Sequence, residues 1–301
     1  MSTIPRLVVF DFDGTCTDAE KEGEGFVTGV IATLSEITGR GTNTIRDRYK
    51  DAERCVLADP SRFDWVIDGI AVCPGTLDPY LRSNHASRIM LESFGFSKER
   101  IEGFRRIVGE RFNDHYHQGS IAIRPGIPEL LRDVQAEPNL HLAIVTNSNT
   151  DAVRRKLATI PGTILDHTKI RTVGGAKKYV VGSTDQILSD DPLLDFIEGF
   201  YRIPPTLSIR GLARPVQLRR PFYYACLNRL RIEAGVKSWA NVMVIGDVLE
   251  MDIAVVHALG GEFGLAANAL TPAYEKAYVE KYPLGDVLNS PDDMRRFVFV
   301  G

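Results

Sequence analysis

The sequence predicts an α/β protein: a doubly wound, Rossmann-like parallel sheet with an inserted helical domain. Three observations predict it. Short apolar, β-branched runs recur along the chain and alternate with stretches of helical periodicity, as parallel strands joined by crossovers do. Several of these runs end abruptly in Asp, Thr or Gly-Asp. Right-handed crossovers bring such ends to one edge of the sheet, where folds of this class bind ligands. Finally, a segment of about 100 residues with helical spacing enters directly after the first strand, too long for a loop and large enough for a module of its own.

The first strand is 7–10, Leu-Val-Val-Phe, wholly apolar and suited to burial on both faces. Asp11 and Asp13 follow it, and Gly14 allows a tight turn. In extended chain, residues i and i+2 share a face, so the two carboxylates point the same way. Like charges held that close need a cation or a shared proton. The pair therefore points to a metal site or to acid/base chemistry. Beyond it, Phe26, Val30, Ile31, Leu34 and Ile37, and later Ile101, Phe104, Ile107, Val108 and Phe112, recur at helical spacing. Residues 18–121 are assigned to the helical domain, and 1–17 with 122–301 to the α/β core.

Arg124-Pro125-Gly126 marks the return to the core, and a helix over 127–134 leads to the second strand, 141–145. That strand ends in Thr146-Asn147-Ser148-Asn149-Thr150. Hydroxyls and free backbone N–H groups ahead of a helix suit an anion, although the same residue types serve as ordinary helix caps. After a helix over 151–158 comes a strand at 169–173, then Gly174-Gly175-Ala176-Lys177-Lys178-Tyr179. Consecutive extended residues face opposite ways, so only one of the two lysines reaches the sheet edge.

The interval 180–219 is irregular, punctuated by Ser189-Asp190-Asp191-Pro192 and Ile203-Pro204-Pro205. From 202 to 220 it holds five arginines, Arg202, Arg210, Arg214, Arg219 and Arg220, and no acid. Such a segment is either a solvated basic surface or an anion-facing one, since Arg forks match phosphate and carboxylate. A helix over 222–233 precedes the strand 241–245, which runs into Gly246-Asp247-Val248-Leu249-Glu250-Met251-Asp252. Asp247 sits at the strand end, and Asp252 stands about one helical turn further, where a helix dipole favours a carboxylate. A further strand is expected at 262–266. Four aspartates thus collect at one sheet edge. Hard oxygen donors without Cys or His select Mg²⁺ over zinc.

Composition narrows the field. The 301 residues are 44% hydrophobic and 25% charged, ordinary for a soluble globular protein. A net charge of -3 favours neither nucleic acid nor an anionic membrane. No apolar run approaches the ~18 residues of a membrane span, and the first run is too short for a signal-peptide core. Cys16, Cys55, Cys73 and Cys226 have neither metal-ligand spacing nor disulfide-like density. A cytoplasmic setting is expected.

Taken together, the motifs resemble those of the haloacid dehalogenase-like superfamily of phosphohydrolases. Asp11-Phe12-Asp13-Gly14-Thr15 is similar to its first hallmark, Ile144-Val145-Thr146 to its second, and Gly246 through Asp252 to its last, in the same order along the chain. The resemblance covers about 4–17 and 123–268. It implies Asp11 as nucleophile through an aspartyl-phosphate, Asp13 as general acid and base, and Thr146 with Asn147 at the phosphate. It implies Mg²⁺ held by Asp11, Asp13 through its backbone carbonyl, and Asp247, with Asp252 close by. A lysine that neutralises nucleophile and phosphate usually opens the helix before the last motif, often as Lys-Pro. Here Arg220-Pro221 stands at that place, so Lys178, then Lys177, then Arg220 are the candidates.

Residues 18–121 fall where this superfamily carries a helical cap, expected to close over the phosphate, exclude water and choose the substrate. His85, Trp65, Tyr80, His115 and His117 are candidates for its pocket. The activity implied is Mg²⁺-dependent hydrolysis of a small phosphomonoester, with a phosphorylated metabolite as the partner. The alternatives are a phosphomutase of the same design and a metabolite-binding protein without turnover. Dehalogenation is disfavoured, because Asp13 and the acidic set have no task in metal-free halide displacement. Oligomeric state is left open.

Overall fold

The apolar runs pair into one parallel sheet in the computed structural model of the chain, which describes residues 4–111, 114–115, 121–186 and 194–300. Phe112, His117 and the Ser189-Asp190-Asp191-Pro192 punctuation lie outside the described residues. In chain order the strands are β1 (Arg6–Phe10), β2 (Leu140–Val145), β3 (Arg171–Val173), β4 (Val242–Gly246), β5 (Glu262–Ala266) and β6 (Gly285–Leu288). Their order across the sheet is β6-β5-β4-β1-β2-β3. β1 lies at the centre, where the winding direction reverses, and ligands bind such sheets beside that reversal. Register aligns the strand ends: Phe10 is level with Ile144 of β2 and with Ile245 of β4.

Alternation puts the two faces of each strand into two separate cores. Leu7, Val9, Ala143, Val145, Val242 and Val244 pack on one side, under the helix Pro221–Glu233. Val8, Phe10, Leu142, Ile144, Met243 and Ile245 pack on the other, under the helices Ile127–Ala136, Thr150–Leu157 and Pro291–Val300. Burial on both faces is why the central strands read as unbroken apolar runs. The third strand begins two residues later than expected, because Lys169 closes a 3₁₀ turn, His167–Lys169, capped by Asp166. β6 has no counterpart among the expected strands because it is a half-exposed edge strand with one fully buried position, Leu288.

The interval 180–219 is built into this body. The helix Leu194–Arg202 and a short antiparallel pair, Thr206–Leu207 with Val216–Gln217, bring Phe196, Phe200, Ile203, Ile209 and Val216 into the first core. Its arginines take fixed places. Arg202 pairs with Glu198 at the surface, and Arg210 is exposed. Arg214 forks onto the fully buried Glu250 (2.7 and 3.1 Å). Arg219 donates to the carbonyls of Ile203 and Tyr201. Arg214 thus faces an anion within the protein, the Glu250 carboxylate, and Arg219 faces backbone carbonyls.

Two compact units result. One comprises Met1–Thr17, Val66–Cys73 and Ile123–Gly301, and the other Asp18–Trp65 and Pro74–Ala122. The second is helical, with Ala19–Thr38, Thr42–Ala58, Pro79–Ser93 and Lys98–Glu110 enclosing Phe26, Val30, Leu34, Tyr49, Met90 and Phe104. Asp18, Asp78 and Ser97 cap three of these helices through their side chains. The stretch expected to be helical throughout also contains a hairpin, Asp64–Ile67 with Ile70–Pro74. Its turn is Asp68-Gly69, both at positive φ (50° and 80°), as a two-residue hairpin turn requires. Among the described residues no helix is long and apolar enough to cross a membrane.

Candidate active site

Four strand ends supply the site. Asp11 follows β1, and its N–H donates to the carbonyl of Ile245 on β4 (2.8 Å), which continues the sheet by one residue and fixes the first carboxylate. Phe12 then turns fully into the core. After Phe12 the chain turns, with the Cys16 and Thr17 N–H groups donating to the Phe12 carbonyl (2.8 and 3.1 Å). Gly14 follows at φ 84°, and a methyl there would lie 2.1 Å from Asp247 Oδ2. The motif needs glycine both for its backbone and for the approach of Asp247.

Asp247 leaves β4, and a wide π turn, Leu249–Ile253, closed by the Ala254 N–H to the Leu249 carbonyl, returns Asp252 to the same place. A methyl on Gly246 would sit 2.3 Å from Asp252 Cβ. Oxygens of Asp11, Asp247 and Asp252, all buried, lie within 4.8 Å of one another. Asp252 spreads its two oxygens between Lys178 Nζ (2.7 Å) and the Val248 N–H (3.1 Å). Asp247 makes no hydrogen bond among the described residues, which leaves it open to a cation. Asp13 is not in this group.

Lys178 is the counter-charge. Its Nζ lies 2.5 Å from Asp11 Oδ1 and 2.7 Å from Asp252 Oδ1, with 1% of the side chain exposed. Its N–H donates to Asn147 Oδ1 (2.8 Å), and the Tyr223 ring lies 5.3 Å from the ammonium. The Tyr223 hydroxyl donates to the Asp252 carbonyl (2.8 Å). The other expected cations stand elsewhere. Lys177 is exposed, at φ 46°, with its ammonium over the Phe222 ring (4.6 Å). Arg220, expected at the substrate, is fully buried. Its guanidinium donates to the carbonyls of Lys178 (2.5 Å), Val72 (2.7 Å) and Gln217 (3.1 Å), so it backs the Lys178 loop instead of facing Asp11.

Charge and burial compete in this pocket. Burial raises the Asp11 carboxyl from its usual 3.8 to about 7; Lys178 opposes the rise and Asp252 adds to it. Burial, then Asp11 and Asp252, push Asp247 well above the carboxylate range. Burial alone pulls Lys178 down, but Asp11 and Asp252 outweigh it and hold the ammonium above the ordinary lysine value. The trio is therefore underfilled with positive charge, and a divalent cation among three hard oxygen donors would relieve it.

Asp13 has its own surroundings. Its Oδ2 accepts from the hydroxyls of Ser148 (2.5 Å) and Thr146 (3.2 Å), and its Oδ1 from Lys156 Nζ (3.2 Å). The Thr146 hydroxyl also accepts from the Ser148 N–H (3.1 Å). Ser148, Lys156 and Tyr223 had no assigned role from the sequence. For Lys156 a signal existed: it stands three residues after Val153 and one before Leu157, on the helix face that enters the core. The proposed pocket residues of the helical unit are structural neighbours there. His85 packs on Phe63, Tyr80 on Phe26, and the buried His115 hydrogen-bonds Thr33 (3.1 Å).

A sequence model of the haloacid dehalogenase-like hydrolase family matches residues 5–188. No curated protein matches the chain. Among solved structures, the magnesium-bound HAD-hydrolase YfnB of Bacillus subtilis is similar over 99% of this chain and 100% of its own, at 13% identity and a TM-score of 0.52. A predicted phosphatase from Clostridium acetobutylicum covers the same shares at 14% identity and a TM-score of 0.47. A haloacid dehalogenase-like hydrolase from Xanthomonas campestris aligns over 99% of this chain and 92% of its own, at 16% and 0.46.

Proposed function

The chain belongs to the haloacid dehalogenase-like hydrolases, and from that premise we propose that it is a Mg²⁺-dependent phosphatase of a small phosphomonoester. One observation carries the reading: a single buried ammonium bridges Asp11 and Asp252, with Asp247 alongside and open, at the strand ends beside the sheet reversal. A neutral substrate needs no such density of charge. A phosphate dianion meeting an anionic nucleophile needs a cation on either side of it.

In the proposed reaction Asp11 attacks phosphorus, its Oδ–P bond forms, and the bond to the leaving oxygen breaks. The Asp13 carboxyl gives its proton to that oxygen. Water then attacks the aspartyl-phosphate, Asp13 takes the water's proton, and inorganic phosphate leaves with Asp11 restored. Lys178 balances charge on Asp11 and the phosphoryl group, and the Thr146 hydroxyl, which donates to Asp13 Oδ2 without substrate, would turn its one proton to a phosphoryl oxygen. Asp11, Asp247 and Asp252 would hold Mg²⁺, with the Asp13 carbonyl beside them. When bound, the metal supplies Lewis-acid neutralisation of the phosphate. The helical unit, inserted directly after the nucleophile motif, is assigned to substrate selection.

The test is turnover of phosphomonoesters in Mg²⁺ and in EDTA, with Asp11→Asn as comparison. The amide keeps the shape and removes the nucleophile, so turnover should fall by at least about 10³-fold, and acid quench should trap phosphate on the wild type alone. Near-normal turnover by Asp11→Asn sinks the assignment. A trapped phosphoryl group that passes to a sugar phosphate instead of water would mark a mutase.

A further inference from the structure

The helix Thr150–Leu157 opens immediately after the Thr146 loop and carries three consecutive basic residues, Arg154, Arg155 and Lys156. The first two are exposed. The third turns inward, with 12% of its side chain exposed, because Val153 and Leu157 (each 1% exposed) anchor that face in the core. Its ammonium lies 3.2 Å from Asp13 Oδ1 and 5.6 Å from the centre of the Phe12 ring. A lysine on a core-facing stripe gives up hydration, and this one ends on the carboxylate assigned to proton transfer.

The geometry of that carboxylate gives the lysine a task. Both hydroxyl donors, from Ser148 and Thr146, fall on Oδ2. They leave the plane of the carboxyl free to rock, because the terminal torsion of Asp is broad and only weakly two-fold. Lys156 takes the other oxygen. With Thr146 turned to the substrate, Ser148 on Oδ2 and Lys156 on Oδ1 hold the group from two sides and fix both its position and its tilt. A proton donor must present its oxygen at hydrogen-bond distance from the leaving oxygen, and misplacement by about 1 Å costs roughly 10²-fold.

We propose that Lys156 is a positioning residue for Asp13: by holding Oδ1 it aims the carboxyl whose proton passes to the leaving oxygen. The proposal rests on the reading of Asp13 as general acid. Its consequence depends on the leaving group. An alkoxide cannot depart without a proton, so ethyl phosphate needs an aimed acid, whereas p-nitrophenolate departs nearly unaided.

The experiment measures kcat and KM for ethyl, phenyl and p-nitrophenyl phosphate with the wild type, Lys156→Met, Lys156→Arg and Asp13→Asn, in saturating Mg²⁺. Methionine keeps the stem against Phe12; if it unfolds, Lys156→Gln takes its place. Lys156→Met should lower kcat/KM, which reports the steps up to departure of the leaving group and not the later attack of water, about 100-fold on ethyl phosphate and less than about 3-fold on p-nitrophenyl phosphate. Lys156→Arg should recover most of the loss. In the Asp13→Asn background Lys156→Met should cost little more, since the two act as a unit. Equal losses of kcat/KM on all three esters, or no rescue by arginine, would overturn the positioning role while leaving Asp13 as acid. If Asp13→Asn itself lowers kcat/KM alike on the three esters, the acid assignment fails first. Failure of the wild type on these esters and on every phosphomonoester of the wider turnover test refutes the phosphatase reading before the positioning role is reached.

Discussion

Replacing Lys178 by methionine removes the one positive charge inside the aspartate trio and keeps the volume of its stem. The ammonium stands 2.5 Å from Asp11 and 2.7 Å from Asp252. At an effective dielectric of about 20, each pairing is worth about 6 kcal/mol in gross attraction. Desolvation of the three groups cancels most of that, and the cost of breaking a buried pair from one side settles at about 3–5 kcal/mol. The cost arises because Asp11, Asp252 and the neighbouring Asp247 are left buried without compensation. In EDTA the thermal midpoint should therefore drop by about 10 °C. Added Mg²⁺ should recover part of the midpoint, because it supplies charge to the same oxygens. It should not recover turnover, which should stay about 10²–10³-fold down, since the ammonium also stabilises charge on the transferring group. Melting curves with and without metal, beside steady-state kinetics, read both quantities. Lys177→Met serves as the internal control and should be silent. Turnover within about 3-fold of wild type for Lys178→Met, or an unchanged midpoint in EDTA, would refute the reasoning.

Two further outcomes follow from the same pocket. Gly246→Ala places a methyl 2.3 Å from Asp252 Cβ and must push that carboxylate aside; Mg²⁺ affinity by calorimetry and turnover should both fall at least about tenfold, and unchanged metal affinity would contradict the assigned ligand set. The second outcome concerns pH. Asp11 binds its proton more tightly folded than unfolded, with its value raised by burial from 3.8 to about 7, and Asp247 is raised as well. Such groups favour the fold at low pH, and their contribution is lost as pH climbs from the unfolded to the folded value. The metal-free protein should lose thermal stability between about pH 4 and about pH 7, and the gain from saturating Mg²⁺ should be larger at about pH 8 than at about pH 5. A gain that shrinks as pH rises would be inconsistent with these carboxylates as the ligands.

Much of the sheet was legible because its central strands are buried on both faces, which leaves no choice of register for Leu7 through Phe10 or Val242 through Ile245. Where one face meets solvent the signal weakened, and β6 was lost. The hairpin at Asp64–Ile67 and Ile70–Pro74 carried its own Asp-Gly turn but lay inside a region dominated by helical spacing. The aspartates could be assigned to one edge because Asp11 and Asp247 directly follow strands and Asp13 and Asp252 stand within a few residues of them. Their grouping could not. It depends on contacts far apart in the chain: Asp13 meets Ser148 and Lys156, while Asp11 meets Asp247 and Asp252. The choice between Lys177 and Lys178 likewise turns on a loop with Lys177 at φ 46°, a backbone that alternation rules do not describe.

The arginine-rich interval marks the limit of reading charge from composition. Five cations without an acid invite a search for an anion, but the partners of Arg219 and Arg220 are backbone carbonyls, which no composition displays. A guanidinium suits that work: five donors in a rigid plane can tie several carbonyls together, and its weak hydration lets it be fully buried. Arg220 does so at the residue before Pro221, the place where the family resemblance looks for the catalytic cation. There it holds the carbonyl of Lys178 itself, while the compact ammonium of Lys178 fits between Asp11 and Asp252. Two cations that look interchangeable in the sequence thus divide one task, and the difference lies in shape. The point charge enters the site, and the planar fork keeps the loop that delivers it in place.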